Sequence, residues 1–222
     1  MLPIAALFLI AVNTIPLFGV LFFGWNLFSI MLLYWLENGI IGFLNIFKIA
    51  LARGAPASGG SGFTINGRPV SSSNKEITIV FFILHYGLFW MVHGIFVFLL
   101  FGLTLDSEPL SGFRGFDPEG VGIAAFALLL SHGVSFFVNF LGKEEYMTVS
   151  PGQQMVEPYP RVVVLHVTIL VGGFFADSIG APLVALVMLV LLKTAIDLLA
   201  HLKEHRKAEM RSGPAGIGTT GR

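Results

Sequence analysis

The chain has 222 residues, of which 55% are hydrophobic and only 12% are charged, and its formal net charge is zero. A soluble domain carries about 25% charged residues, so this composition excludes an ordinary soluble domain and indicates a protein whose main partner is the lipid bilayer. The zero net charge gives no electrostatic case for a nucleic-acid partner. Because the sequence has no cysteine, it excludes disulfides, thiolate zinc sites, iron–sulfur clusters and covalently attached haem.

Apolar runs follow one another along the chain, and a run of about 18 or more apolar residues is typical of a membrane span. We therefore predict an all-α, polytopic membrane bundle of six transmembrane helices within residues 1–206. The predicted spans cover residues 2–23, 27–49, 77–101, 121–141, 162–175 and 181–200.

Three segments outside the spans differ from them in composition. Residues 51–76 are rich in Gly, Ser and Pro and predict a flexible loop with a small turn at Asn66-Gly67. Residues 142–160 mix charged side chains with Tyr and Met, which favours a position at the membrane interface. Residues 207–222 predict a disordered tail.

The distribution of Lys and Arg predicts the orientation, because cytoplasmic segments collect these residues. With the N-terminus inside, residues 51–76, residues 142–160 and the C-terminal segment all lie in the cytoplasm, and the outer segments hold only Arg114. We therefore predict that both termini are cytoplasmic and that the protein is a multi-pass membrane protein.

Polar side chains inside the predicted spans carry the functional information, since they cost free energy in lipid and normally face the bundle interior. Counting about 1.5 Å per residue from the cytoplasmic end of each span places Glu37, His85, His132 and His166 in one layer of the inner half, with His93 higher. We take these residues as candidates for a metal site or for a polar network.

A second group of polar residues supports the first. Lys193, Asp197 and His201 form one stripe of the last span and are candidates for an ion pair or a relay. Each group also has a simpler interpretation: Lys193 and Asp197 as an intrahelical ion pair, a single His as a packing residue, and an amide as an interhelical hydrogen bond. The supporting amides and hydroxyl are Asn38, Asn45, Ser135 and Asn139.

Several strings in the spans are distinctive as a set. They are LLYWLENGIIGFLNIFKI (32–49), HYGLFWMVHGIFVF (85–98), SHGVSFFVNFLGKEEY (131–146), RVVVLHVTILVGGF (161–174) and LLKTAIDLLAHLKEH (191–205). Together they resemble a prokaryotic family of membrane proteins catalogued as domain of unknown function 6498. The resemblance implies a multi-pass protein of a prokaryotic cytoplasmic membrane, and it implies no activity, substrate, cofactor or catalytic residue.

Three hypotheses for the function follow, and the sequence assigns no reaction. In the first, His85, His132 and His166 converge with Glu37 close above them and bind a transition metal, or His85 and His132 are the axial ligands of haem b. In the second, Glu37, the histidines and Asp197 form the relay of a small proton-linked transporter or channel, although no internal repeat is visible. In the third, the polar layer only specifies packing in a non-catalytic scaffold or accessory subunit, which binds a membrane partner subunit or forms a homo-oligomer.

Overall fold

The computed structural model describes residues 18–19, 22–55, 63–65, 67–69, 75–103, 110 and 113–179. Of residues 65, 68, 69 and 171–179 it describes the backbone only. Most of the predicted span 2–23, the whole of the predicted span 181–200 and the tail 207–222 lie outside the described residues.

Helices make up most of the described chain. The α-helices are α1 (Leu27–Leu51), α2 (Lys75–Val97), α3 (Pro118–Ser135), α4 (Pro151–Val156) and α5 (Tyr159–Ile179). α2 and α3 continue directly into wider π-helical turns, Phe98–Gly102 and Phe136–Leu141, and a short 3₁₀ turn follows at Glu145–Met147. In the loop before α2, strands β1 (Thr64–Ile65) and β2 (Arg68–Pro69) pair as a small antiparallel hairpin at the position of the predicted turn.

Three helices of the described chain are long and apolar enough to cross a membrane, namely Leu27–Leu51, Lys75–Gly102 and Pro118–Leu141. The prediction of a helical membrane protein is confirmed at this level. α5 includes all residues of the predicted span 162–175. The number of six spans and the cytoplasmic position of both termini stay predictions.

α1 occupies the centre of the bundle, where it contacts α2, α3, α4 and α5. Its N-terminus is capped by Asn26, whose side-chain oxygen accepts the backbone N–H of Ser29 at 2.9 Å. In the most apolar part of α1 61% of the residues are buried, against 22% in the long helices that contain α2 and α3. The outward faces of those two helices are apolar and exposed, for example at Leu84 and Phe137, as contact with lipid requires.

α1 and α2 run antiparallel, and they cross where residues 34–39 of α1 face residues 89–94 of α2. The indole rings of Trp35 and Trp90 stack with 4.3 Å between their centroids and 8° between their planes. Trp35 Nε1 donates to the Trp90 carbonyl at 2.7 Å, and Trp90 Nε1 donates to the Trp35 carbonyl at 3.0 Å. Because each helix gives the other the same contact, the crossing has local two-fold symmetry.

Each tryptophan of the crossing packs on a glycine of the opposite helix. A Cβ atom on Gly39 would lie 2.8 Å from Trp90 Nε1, and one on Gly94 would lie 2.7 Å from Trp35 Cε2. The close approach of the helices therefore depends on both glycines, as small residues commonly allow in membrane bundles. The pattern Trp-x-x-x-Gly is present in the sequence at both positions. We call these four residues the Trp–Gly crossing.

Contacts along α1 and α2 give a scale of height through the bundle. Lys75 Nζ donates to the Ala50 carbonyl at 3.1 Å, so the start of α2 lies level with the end of α1. At the opposite end, Gly102 lies against the ring of Phe28. Heights below are measured from the end where α1 terminates, which we call the Leu51 end, at about 1.5 Å per residue.

The segment between α3 and α5 folds against the Leu51 end of α1. The backbone N–H of Arg53 donates to the Tyr146 carbonyl at 2.7 Å. Farther along, Asn45 Nδ2 donates to the Gln154 carbonyl at 3.1 Å, and Gln154 Nε2 donates to Asn45 Oδ1 at 2.7 Å. Both of these amide side chains are buried, so this pair ties α4 to the interior face of α1.

Candidate functional site

Glu37 is the most buried acidic side chain among the described residues, with 7% of its surface exposed. It lies on α1 at a height of about 21 Å, near mid-helix. Glu37 Oε1 is 3.5 Å from His132 Nε2 on α3, and the two attract as ions only when His132 is protonated. A direct N–H···O hydrogen bond is about 2.7–3.2 Å long, and His132 Nε2 has no hydrogen-bond partner within the described part of the chain. Whether Glu37 and His132 attract as an ion pair therefore depends on which of the two side chains carries the proton.

A cavity of about 10 Å³ lies beside Glu37, between α1 and α5. Asn38 faces it with 5% of its surface exposed. The Asn38 Nδ2 group donates to the Tyr34 carbonyl at 2.9 Å, whereas Oδ1 has no partner among the residues that the structure describes. A space of about 10–15 Å³ holds one water molecule, so the cavity has the size and the acceptor that one water needs. Its polar lining residues are Tyr34, Glu37, Asn38, Arg161 and Thr168.

A pair of histidines joins α2 to α5. His93 Nε2 is 3.0 Å from His166 Nδ1, and His93 Nδ1 is 2.6 Å from the Phe89 carbonyl oxygen. A carbonyl only accepts hydrogen bonds, so His93 Nδ1 carries a hydrogen. In neutral His93 the other nitrogen, Nε2, is then an acceptor, and His166 must donate from Nδ1.

The tautomers limit how many protons this pair can hold. Both neutral rings carry their hydrogen on Nδ1, which leaves His166 Nε2 as the remaining basic nitrogen. One added proton keeps the hydrogen bond intact, but a second would place two N–H groups face to face. His93 is buried, with 4% of its surface exposed, whereas His166 is exposed.

A third contact joins the middle of α2 to the first residue of α5. His85 Nδ1 lies 2.7 Å from the Tyr159 hydroxyl. The His85 ring also stacks on Phe81, with 5.2 Å between ring centroids and 15° between planes. This geometry fixes the imidazole against one phenol and one aromatic face, as expected for a half-buried histidine held by its neighbours.

A comparison with protein families shows to which family the chain belongs. The model of a group described as "Family of unknown function (DUF6498)" matches residues 2–213. The chain belongs to the DUF6498 family. The resemblance seen in the span sequences is thereby confirmed. Comparisons of this DUF6498 protein with curated proteins and with solved structures gave no match. Membership of the DUF6498 family carries no activity, so the function must be argued from geometry.

The histidines of this DUF6498 protein do not form the shared metal centre that the sequence suggested. His85, His132 and His166 each contact a different partner. Within the described ranges no group of three or more His, Cys, Asp or Glu side chains is arranged to hold a metal ion, so metal binding is not supported. The physical reason is that depth along a helix does not determine the direction in which a side chain points.

The supporting polar residues behave differently from one another. Asn38 and Asn45 face the interior, as described above, whereas Asn139 Nδ2 donates to Ser135 Oγ at 3.2 Å, one turn away on α3 and its π-helical extension. Outside the residues that the structure describes lie Lys193, Asp197 and His201.

Sequence reasoning missed three residues that contact the candidate site: Gln154, Tyr159 and Arg161. The first two lie in the charged segment 142–160, which we expected at the membrane interface. A hydropathy pattern contains no signal for them, because a short polar segment looks the same whether it lies on a membrane or enters a bundle.

Proposed function

We propose that this protein crosses the membrane six times, with both termini in the cytoplasm, and that it moves protons through a site built on Glu37 and His132. One observation carries the proposal: a carboxyl group, 7% exposed, lies in the middle of an apolar spanning helix with an imidazole nitrogen 3.5 Å away. Ionisable side chains at such positions are costly in lipid and mark the routes of protons or ions in membrane proteins.

The chemistry of the pair suits a proton rather than a larger ion. When the proton is on Glu37, both groups are neutral. When it moves from the carboxyl oxygen to His132 Nε2, the products are a carboxylate and an imidazolium that attract each other, and the total charge is unchanged. Neither arrangement leaves an isolated charge in the low-dielectric interior, which would be strongly unfavourable. A small approach of the two side chains from 3.5 Å completes the hydrogen bond that transfer needs.

The remaining polar contacts are consistent with this proposal. The cavity beside Glu37 is large enough for one water, and His93 and His166 lie within hydrogen-bond distance of each other. A relay of this kind needs only groups that exchange protons over hydrogen-bond distances, and it needs no bound metal.

Proton flux into vesicles that contain the purified protein tests the proposal. A pH-sensitive dye is trapped inside, and a potassium gradient with valinomycin sets the membrane potential. We expect Glu37→Gln to reduce the flux to that of protein-free vesicles, because glutamine has the same shape but cannot ionise. The matched control is Glu119→Gln, which changes an exposed acid in the first turn of α3 and should keep the full flux. If the flux never exceeds that of protein-free vesicles, or if Glu37→Gln leaves it unchanged, the proposal is refuted and the polar pairs are packing contacts.

A further inference from the structure

α4 lies inside the bundle, although it belongs to a segment with the composition of a surface loop. It begins at Pro151, shortly after Tyr146, whose carbonyl bonds to Arg53 just beyond the end of α1. Gln154 then pairs with Asn45, which lies at a height of about 9 Å. α4 therefore enters the bundle from the Leu51 end.

α5 continues in the same direction. Its first residue, Tyr159, contacts His85 at a height of about 15 Å, and His166 contacts His93 at about 27 Å. Both contacts rise together along the two helices, so α5 runs parallel to α2 and begins deep in the bundle. The six residues of α4 fill the distance between the Leu51 end and this starting point.

At these heights the outer surface of α1 and α2 is apolar. The outward side chains of α1 and α2 near the Leu51 end are large, apolar and exposed, as at Phe43, Phe47, Ile77 and Leu84. Side chains of this kind face hydrocarbon rather than water in a membrane bundle. The break between α4 and α5, at Glu157 and Pro158, therefore lies at membrane depth.

We infer that residues 151–179 form one discontinuous membrane span, α4 followed by α5, and that water reaches the break at Glu157 from the Leu51 end. Pro158 has no backbone N–H and interrupts the helical hydrogen bonds at this point. Glu157 itself keeps helical backbone angles, φ −55° and ψ −43°, so the break consists of missing helical hydrogen bonds rather than of an unwound segment. Polar backbone groups without helical partners occur at membrane depth only where they are buried in protein or line a water-filled space.

The charged side chains near the break indicate whether water or lipid surrounds it. Glu157 and Arg161 lie one turn apart, and both are exposed. Exposure of two charged side chains to hydrocarbon at this depth would be strongly unfavourable, so the space that they face contains water.

The wet side of the break connects to the candidate site through Arg161. This residue is exposed and also lines the cavity beside Glu37 and Asn38. The cavity of about 10 Å³ admits one water molecule and excludes a hydrated metal ion. The path therefore delivers protons, through water, to Glu37; this role rests on the proposed function, whereas the discontinuous span does not.

Reactivity of single cysteines in this cysteine-free chain tests the inference. The variants are Glu157→Cys at the break, Leu84→Cys at a similar height on the lipid-facing side of α2, and Lys143→Cys at the exposed turn after α3. Each variant is placed in membrane vesicles and treated with a charged thiol reagent that does not cross membranes. The vesicles are oriented so that residue 143 faces the reagent. Because only the thiolate reacts, modification requires water at the cysteine.

We expect Glu157→Cys to react at a rate close to that of Lys143→Cys, and Leu84→Cys to remain unmodified over the same time. If Glu157→Cys is as unreactive as Leu84→Cys, water does not reach the break and the inference is wrong. If Leu84→Cys reacts as fast as Glu157→Cys, the break lies outside the membrane and the discontinuous span is wrong. Labelling at Glu157→Cys without proton flux would contradict the proposed function alone.

Discussion

Substitution of Gly94 by alanine probes the Trp–Gly crossing with a single methyl group. The new Cβ would lie 2.7–2.8 Å from three ring atoms of Trp35, whereas carbon atoms in optimal contact are about 3.5–4.0 Å apart. Trp35 cannot turn away without loss, because its Nε1–H is bonded to the Trp90 carbonyl and its ring is stacked on Trp90. The two helices must therefore move apart.

The expected magnitude follows from two opposing effects. Overpacking a close contact costs about 1–3 kcal/mol, and replacement of glycine by alanine within a helix recovers up to about 1 kcal/mol. We expect Gly94→Ala to lower the free energy of unfolding by about 1–2 kcal/mol. The control is Gly87→Ala on the same helix, where a Cβ atom meets nothing within 4 Å. That variant changes helix propensity alone and should be more stable than the parent by about 0.5–1 kcal/mol.

Reversible unfolding in mixed detergent and dodecyl sulfate micelles, followed by far-ultraviolet circular dichroism, measures both variants. Gly39→Ala should resemble Gly94→Ala because of the local two-fold symmetry. Combining Gly94→Ala with Trp35→Phe should cost less than the sum of the single changes, since the smaller ring relieves the overlap. If Gly94→Ala is as stable as Gly87→Ala, the close packing that we describe at the crossing is refuted.

Two other expectations concern topology and protonation. Glu119 and Lys143 lie at opposite ends of the helix Pro118–Leu141. An impermeant maleimide added to intact cells should label Glu119→Cys and leave Lys143→Cys unlabelled. The reverse labelling pattern would contradict the cytoplasmic position of both termini. Solid-state nitrogen magnetic resonance of histidine-labelled protein should show neutral His93 and His166 as Nδ1–H tautomers, assigned by loss of signal in His93→Asn and His166→Asn. A neutral Nε2–H signal from either ring would contradict the hydrogen-bond pattern around them.

The sequence by itself was sufficient to predict where the long helices lie and that they are apolar enough to cross a membrane. Long apolar runs place α1, α2 and α3, because a membrane span is recognised by the sum of its side-chain hydrophobicities, which needs no knowledge of the neighbours. The family relationship is also a property of the sequence alone. The Trp-x-x-x-Gly pattern at Trp35 and Trp90 is also present in the sequence, but only the observed crossing shows that the two copies face each other.

Only the tertiary structure decided which polar side chains meet. Successive residues of a helix are turned by about 100°, so Glu37 reaches His132, and His166 reaches His93, only because of how each helix is rotated and shifted along its axis. The depth count placed His93 and His166 in different layers because it assumed that α5 begins at the membrane surface. In the structure α5 begins next to His85, about 15 Å above the Leu51 end of the bundle, because α4 precedes it inside the bundle. That shift depends on packing between segments far apart in the chain, and a hydropathy pattern read along one chain does not contain it.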